Sequence, residues 1–139
     1  DRDALRAALA DGTADALCSD HTPVDDDAKQ LPFAEAEPGA TGLELLLPLT
    51  LKWANEANVP LMQALAKITS EPARVLGLDN GHLSIGHAAD LCIFDPAAAR
   101  KIEAKALKSQ GKNTPFLGQT LSGIVRMTIV EGHLVYEHH

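Results

Sequence analysis

The sequence is short of positive charge: 12 Lys and Arg stand against 19 Asp and Glu, for a formal net charge of -7. Proteins that grip a phosphate backbone concentrate Lys and Arg on one face. Nucleic acid is therefore not an expected partner, and a small molecule or another protein is. Cysteine is nearly absent. Cys18 and Cys92 each lie in an apolar, strand-like run, where the residue is expected to be a small buried hydrophobe. With no Cys-x-x-Cys pair, neither a structural zinc site nor a disulfide framework is expected. Also missing are an internal repeat, a low-complexity tract, a membrane-length apolar run and a signal-peptide pattern. These absences together lead to the expectation of a cytoplasmic protein with no membrane partner. An initiating methionine is lacking too, so a truncated piece of a longer chain is expected. His138 and His139 read as a tag remnant and carry no argument.

What is present is ordinary for one globular core: 139 residues, 45% hydrophobic and 22% charged. The chain is organised around Asp15-Ala16-Leu17-Cys18-Ser19-Asp20-His21-Thr22-Pro23. A short apolar run is followed by a carboxylate and an imidazole, then by a proline that ends any ladder, which predicts a buried strand over 14–19. An acid at the end of a parallel strand sits where α/β folds place their chemistry. On the residues alone Asp20 is either such a group or a turn cap.

Before this strand, Leu5 and Leu9 stand four apart with charges between them, and Asp11-Gly12 follows, which predicts a helix over 2–10. After it, 21–38 is polar, punctuated by Pro23, Pro32 and Pro38, and predicts a long loop. Its triple Asp25-Asp26-Asp27 lacks calcium-loop spacing and reads as a solvated acidic turn. Thr41 with Glu44 has the spacing of a capping box, predicting a helix to Asn55 that Pro48 should kink. Two shorter helices are expected over 60–68 and 71–76. Strands are expected at 91–94, 124–130 and 133–136, the last two joined by a hairpin turn at Glu131-Gly132. His82, His87 and His133 lie beside glycines without metal-ligand spacing and read as surface residues.

Four pieces carry a more specific likeness: 11–23 (DGTADALCSDHTP), 37–44 (EPGATGLE), 86–91 (GHAADL) and 111–118 (GKNTPFLG). In this order they resemble the carboxyl-terminal third of a dihydroorotase-type cyclic amidohydrolase. The resemblance implies an α/β fold: the last strand and helices of a (β/α)8 TIM barrel over 1–78, and the carboxyl-terminal part of an appended β-sandwich over 79–139. It implies metal-dependent, reversible cyclisation of N-carbamoyl-L-aspartate to dihydroorotate in the full-length protein. Asp20 would bind zinc and shuttle a proton between the attacking water and the leaving amide nitrogen. Backbone groups at Pro38 and Gly39 would meet the substrate ring, although Pro-Gly alone reads as a turn. His21 would face away from the ligand, as packing or support.

Two departures matter. Val24 stands where such enzymes usually carry a substrate-contacting histidine, and valine offers no hydrogen bond or charge. The remaining histidine and lysine ligands of the family's metal site are absent from these 139 residues, so this chain alone is expected to be inactive and without tightly bound zinc. The resemblance leaves three readings of the whole protein: a dihydroorotase, a non-catalytic dihydroorotase-like subunit supporting aspartate carbamoyltransferase, or a hydantoinase or allantoinase-like enzyme. Strand edges left open by a partial barrel predict self-association.

Overall fold

The computed structural model describes residues 1–138. Its element order is α1 (Arg2–Asp11), α2 (Asp26–Lys29), a 3₁₀ turn (Leu43–Leu45), α3 (Leu46–Ala57), α4 (Leu61–Ala66), α5 (Ser70–Leu76), β1 (Leu91–Lys101), a second 3₁₀ turn (Ala104–Ala106), β2 (Thr120–Val130) and β3 (His133–Glu137). The strands form one antiparallel sheet in the order β1-β2-β3. No helix among the described residues is long and apolar enough to cross a membrane.

The sheet follows from its turns. Glu131 and Gly132 both have positive φ, 49° and 81°, the primed geometry whose twist matches paired strands. Asp90 braces the hairpin by accepting the Glu131 N–H at 2.7 Å. Both β1 and β2 run past their expected limits. β1 continues through Pro96 to Lys101 because its register shifts between Asp95 and Ala99. The proline lies in this irregularity and withholds no ladder donor. The Asp95 carboxylate accepts the N–H groups of Ala97 and Ala98 there, at 3.0 Å each, and those two bonds hold its pKa below the usual carboxylate range. β2 starts at Thr120, through a Ser122-Gly123 pair that carries no strand signal of its own.

α3 lies on β2, and Gly123 makes the approach possible: a Cβ there would stand 2.6 Å from a Leu51 methyl. Beneath this contact Leu45, Ile102, Leu107 and Leu121 form one buried cluster, flanked by Leu49 and Phe116. Trp53, Ala54 and Ala64 form a second, against which Leu9, Ala10 and Val59 pack. The helix over 2–10 is thus present, stopped by Gly12 at φ 88°.

The predicted entry to α3 is corrected twice. Thr41 and Glu44 make no capping box: the Thr41 hydroxyl donates to the Gly111 carbonyl, and the Glu44 carboxylate accepts the N–H groups of Lys108 and Ser109 at 2.9 and 2.8 Å. Long-range donors outcompete local ones here, since helical structure begins only at Leu43. Pro48 does not kink the helix, because α3 starts at Leu46 and places the proline in its first turn, where backbone donors need no partner. Leu43, in the 3₁₀ turn before the helix, is 61% exposed.

The strand expected over 14–19 is not formed: the segment has no assigned secondary structure, and no strand lies beside it among the described residues. Cys18 is consequently exposed, and so is Cys92 on the outer strand β1; both are free thiols rather than buried hydrophobes. The loop over 21–38 holds a single helical turn, α2, and is otherwise irregular.

Candidate functional site

The segment leading to Asp20 is held from behind. Lys67 donates from Nζ to the Ala14 carbonyl at 2.8 Å, and its own carbonyl accepts the Leu17 N–H at 2.9 Å. Asp15 receives an ion pair from Arg74 at 2.6 Å. On the far side, His21 Nδ1 lies 3.1 Å from both the Gly42 and Leu43 N–H groups. A nitrogen that accepts two donors carries no proton, so the neutral ring is protonated on Nε2. His21 is thus a support between the loop and the start of α3.

Asp20 lies between these braces with φ 44°. Few residues other than glycine adopt the left-handed region, and aspartate is among those that tolerate it. The side chain is exposed, and Thr22 Oγ1 donates to its carbonyl at 3.3 Å. Local strain of this kind, of order 1–3 kcal/mol, persists where surrounding contacts over-determine it, and it clusters at functional positions.

Three of the four sequence pieces meet just behind Asp20. Gly39 has φ 121°, and a Cβ on it would stand 2.6 Å from the Thr22 carbonyl, so only glycine fits. The Thr22 N–H donates to Ala40 at 3.0 Å, and Thr41 N–H to Asn113 at 2.7 Å. Asn113 Nδ2 closes the set on the Gly39 carbonyl at 3.3 Å. Val24 is 8% exposed, covered by Gly111, which lies so close that a Cβ there would be 2.9 Å from the Val24 backbone. Its side chain is a packing group. Pro38 itself is exposed.

A cavity of about 220 Å³ opens beside the segment before Asp20, between Leu17, Cys18 and Ser19 on one side and Thr41, Gly42 and Phe116 on the other. The larger cavity, about 530 Å³, runs between α3 and the strands and takes no residue from the Asp20 loop.

Asp20 offers a metal one carboxylate. A catalytic zinc generally needs three protein donors, and among the described residues the one group of three candidate donors is Asp79, His82 and His87. The residues present do not complete a zinc site around Asp20. His82 and His87 are exposed, as the sequence reading has them, and the fold brings them together with Asp79 although their spacing gave no signal. What marked them was only a glycine before each, Gly81 and Gly86, both at positive φ.

Helices cover a three-stranded antiparallel sheet, and a separate irregular segment carries Asp20 on a left-handed backbone. Residues 1–135 match the amidohydrolase family, and the chain belongs to it. It is 44% identical over 137 residues to a dihydroorotase-like protein of Pseudomonas aeruginosa, covering 99% of this chain and 32% of that protein. It is 42% identical, over the same shares, to a dihydroorotase of a Geobacter species. Among solved structures, an L-hydantoinase (dihydropyrimidinase) from Arthrobacter aurescens aligns with TM-score 0.86 and 32% identity, over 96% of this chain and 31% of that one. A dihydropyrimidinase from Brevibacillus agri aligns with TM-score 0.90 at 24% identity, over 98% and 31%, a likeness of fold alone. The chain spans about a third of the length of these relatives.

Proposed function

We propose that these residues form the carboxyl-terminal third of a dihydroorotase, which interconverts N-carbamoyl-L-aspartate and dihydroorotate in pyrimidine synthesis. The observation that carries the reading is Asp20: an exposed carboxylate on a left-handed residue, fixed between the Lys67 brace and the His21 brace. In ring opening, water adds to the amide carbonyl, Asp20 takes the proton that water loses, and the same proton goes to the ring nitrogen as the C–N bond breaks. Closure is the reverse. A positioned carboxylate is worth roughly 10² to 10⁴-fold in such transfers. Gly39 fits a role in backbone contact with the ring, since the chain there tolerates no side chain.

In this reading residues 14–20 are the last strand of a (β/α)8 barrel, 1–78 are its end, and 79–139 belong to an appended β-sandwich. Zinc would draw its further donors from residues outside this chain. The protein would be cytoplasmic and would self-associate, in keeping with exposed apolar residues such as Leu134 and Val135 on the outer strand β3.

Buried Val24 favours a second reading, a non-catalytic subunit that supports aspartate carbamoyltransferase, because it leaves the loop without a side-chain hydrogen bond to an anionic substrate. The likeness to an L-hydantoinase keeps hydantoinase or allantoinase-like activity as a third.

The test is turnover by the protein at its relatives' full length. Dihydroorotate hydrolysis that falls at least about 100-fold in Asp20→Asn, with unfolding midpoint unchanged, supports the first reading. Full activity in that variant overturns it. Hydrolysis of hydantoin or allantoin alone transfers the proposal to the third reading. No turnover, with the carbamoyltransferase co-eluting, transfers it to the second.

A further inference from the structure

Asp79, His82 and His87 lie on the turn-rich segment between α5 and β1, and none takes part in the reading above. One potential ligand atom from each lies within 4.8 Å of the others. His82 Nε2 is 3.3 Å from Asp79 Oδ1, and His87 Nδ1 is 3.7 Å from Asp79 Oδ2. The two rings meet edge to face, with centroids 4.4 Å apart and planes at 81°. Donors bound tetrahedrally at zinc distances stand about 3.3 Å from one another; with Asp79 binding through Oδ1, its edge to His82 Nε2 already has that length, and a contraction within the 4.8 Å spread brings in the third donor.

The backbone holds this arrangement without help from a ligand. Gly77 ends α5 in the left-handed conformation, and the Leu78 N–H returns to Ala73 at 2.9 Å. Gly81 sits so close to α5 that a Cβ would be 2.9 Å from Ser70 Cα, which fixes where His82 emerges. The His87 N–H reaches back to Ser84 at 3.4 Å, closing the turn that presents the second ring.

We propose that Asp79, His82 and His87 form a surface site for one divalent transition-metal ion of the zinc class. Two imidazoles and a carboxylate suit zinc, nickel or copper, and discriminate against magnesium and calcium, which prefer all-oxygen sets. Binding through His82 Nε2 requires the tautomer that carries its proton on Nδ1, which leaves the Nε2 lone pair free for the metal. Three protein donors leave the remaining position to water. The donors are exposed and the rings have few outer partners, so affinity is micromolar rather than that of a closed structural site.

The experiment is calorimetric titration of the 139-residue chain with zinc chloride, repeated in His82→Gln, His87→Gln and the double variant, and in a variant with His138 and His139 both changed to Ala. The expected result is one zinc per chain. Binding should weaken at least tenfold in either single variant, vanish in the double variant, and stay unchanged when His138 and His139 are replaced. Nitrogen chemical shifts of the two rings should move together at one equivalent of zinc, a readout that loss of folding would not mimic. Binding that survives the double variant, or that disappears with His138 and His139, overturns the proposal, as does the absence of zinc binding to the unaltered chain.

Discussion

Lys67 and Ala14 are joined by a hydrogen bond of 2.8 Å from ammonium to carbonyl across 53 positions of sequence. The bond matters because Lys67 is only 6% exposed, and a buried charged donor is costly unless it is paired. Its main-chain carbonyl takes the Leu17 N–H as well, so one residue holds the segment that delivers Asp20 at two points, Ala14 and Leu17.

Replacing Lys67 with methionine keeps much of the packing and removes the donor. A hydrogen bond from a charged group contributes about 1.5–3 kcal/mol, and its loss leaves the Ala14 carbonyl wanting. Lys67→Met should therefore lose about 2 kcal/mol in urea unfolding, with Leu17 amide exchange accelerated beyond what the global loss explains. An unchanged midpoint would mean that Lys67 merely lies against the segment.

Glu44 gives a second test, because two structural roles for it predict different results. As a helix cap it would act on the local turn alone. As observed, each carboxylate oxygen takes one N–H from the loop at Lys108 and Ser109. Glu44→Gln keeps one acceptor and should lose about 1 kcal/mol, whereas Glu44→Ala should lose about 2 kcal/mol. Exchange of the Ser109 amide should rise in both. Were the effect confined to amides at the start of α3, the long-range role would be wrong.

The same residue explains what sequence could disclose. Features fixed by neighbours were legible: the Gly12 stop of α1, the Glu131-Gly132 hairpin, and the presence of the short helices α4 and α5 answer to local conformational preference. Thr41 and Glu44 did not, because their partners lie 70 and 64 or 65 positions away and nothing local marks them. Pro48 misled because its effect depends on where the helix starts, and that start is set by long-range bonds. Asp20 stood out by its context, yet its left-handed backbone did not, since an aspartate in sequence carries no φ. His82 and His87 were hidden for a plainer reason: only the positive-φ glycines before them bring their rings together.

The bulge in β1 makes acid stability a third test. The Asp95 carboxylate is held below the usual range first by the Ala98 N–H, then by that of Ala97, with a smaller contribution from Arg126 at 3.4 Å. A group whose pKa is lower folded than unfolded stabilises the fold fully above its unfolded value, and that contribution is lost as pH falls through the folded value. Ionised Asp95 should thus support the bulge at neutral pH and stop doing so in acid. Asp95→Asn keeps an oxygen acceptor but not the charge. Its urea midpoint should lie below that of the unaltered protein at pH 7, and the gap should narrow as pH falls from about 5 through the ordinary carboxylate range and below. Asp11 and Glu56, also held low, by the Thr13 N–H and by Arg6, are common to both proteins and cancel in the difference. A gap that stays constant down to pH 3 would assign the loss to altered packing in the bulge and not to the charge of Asp95.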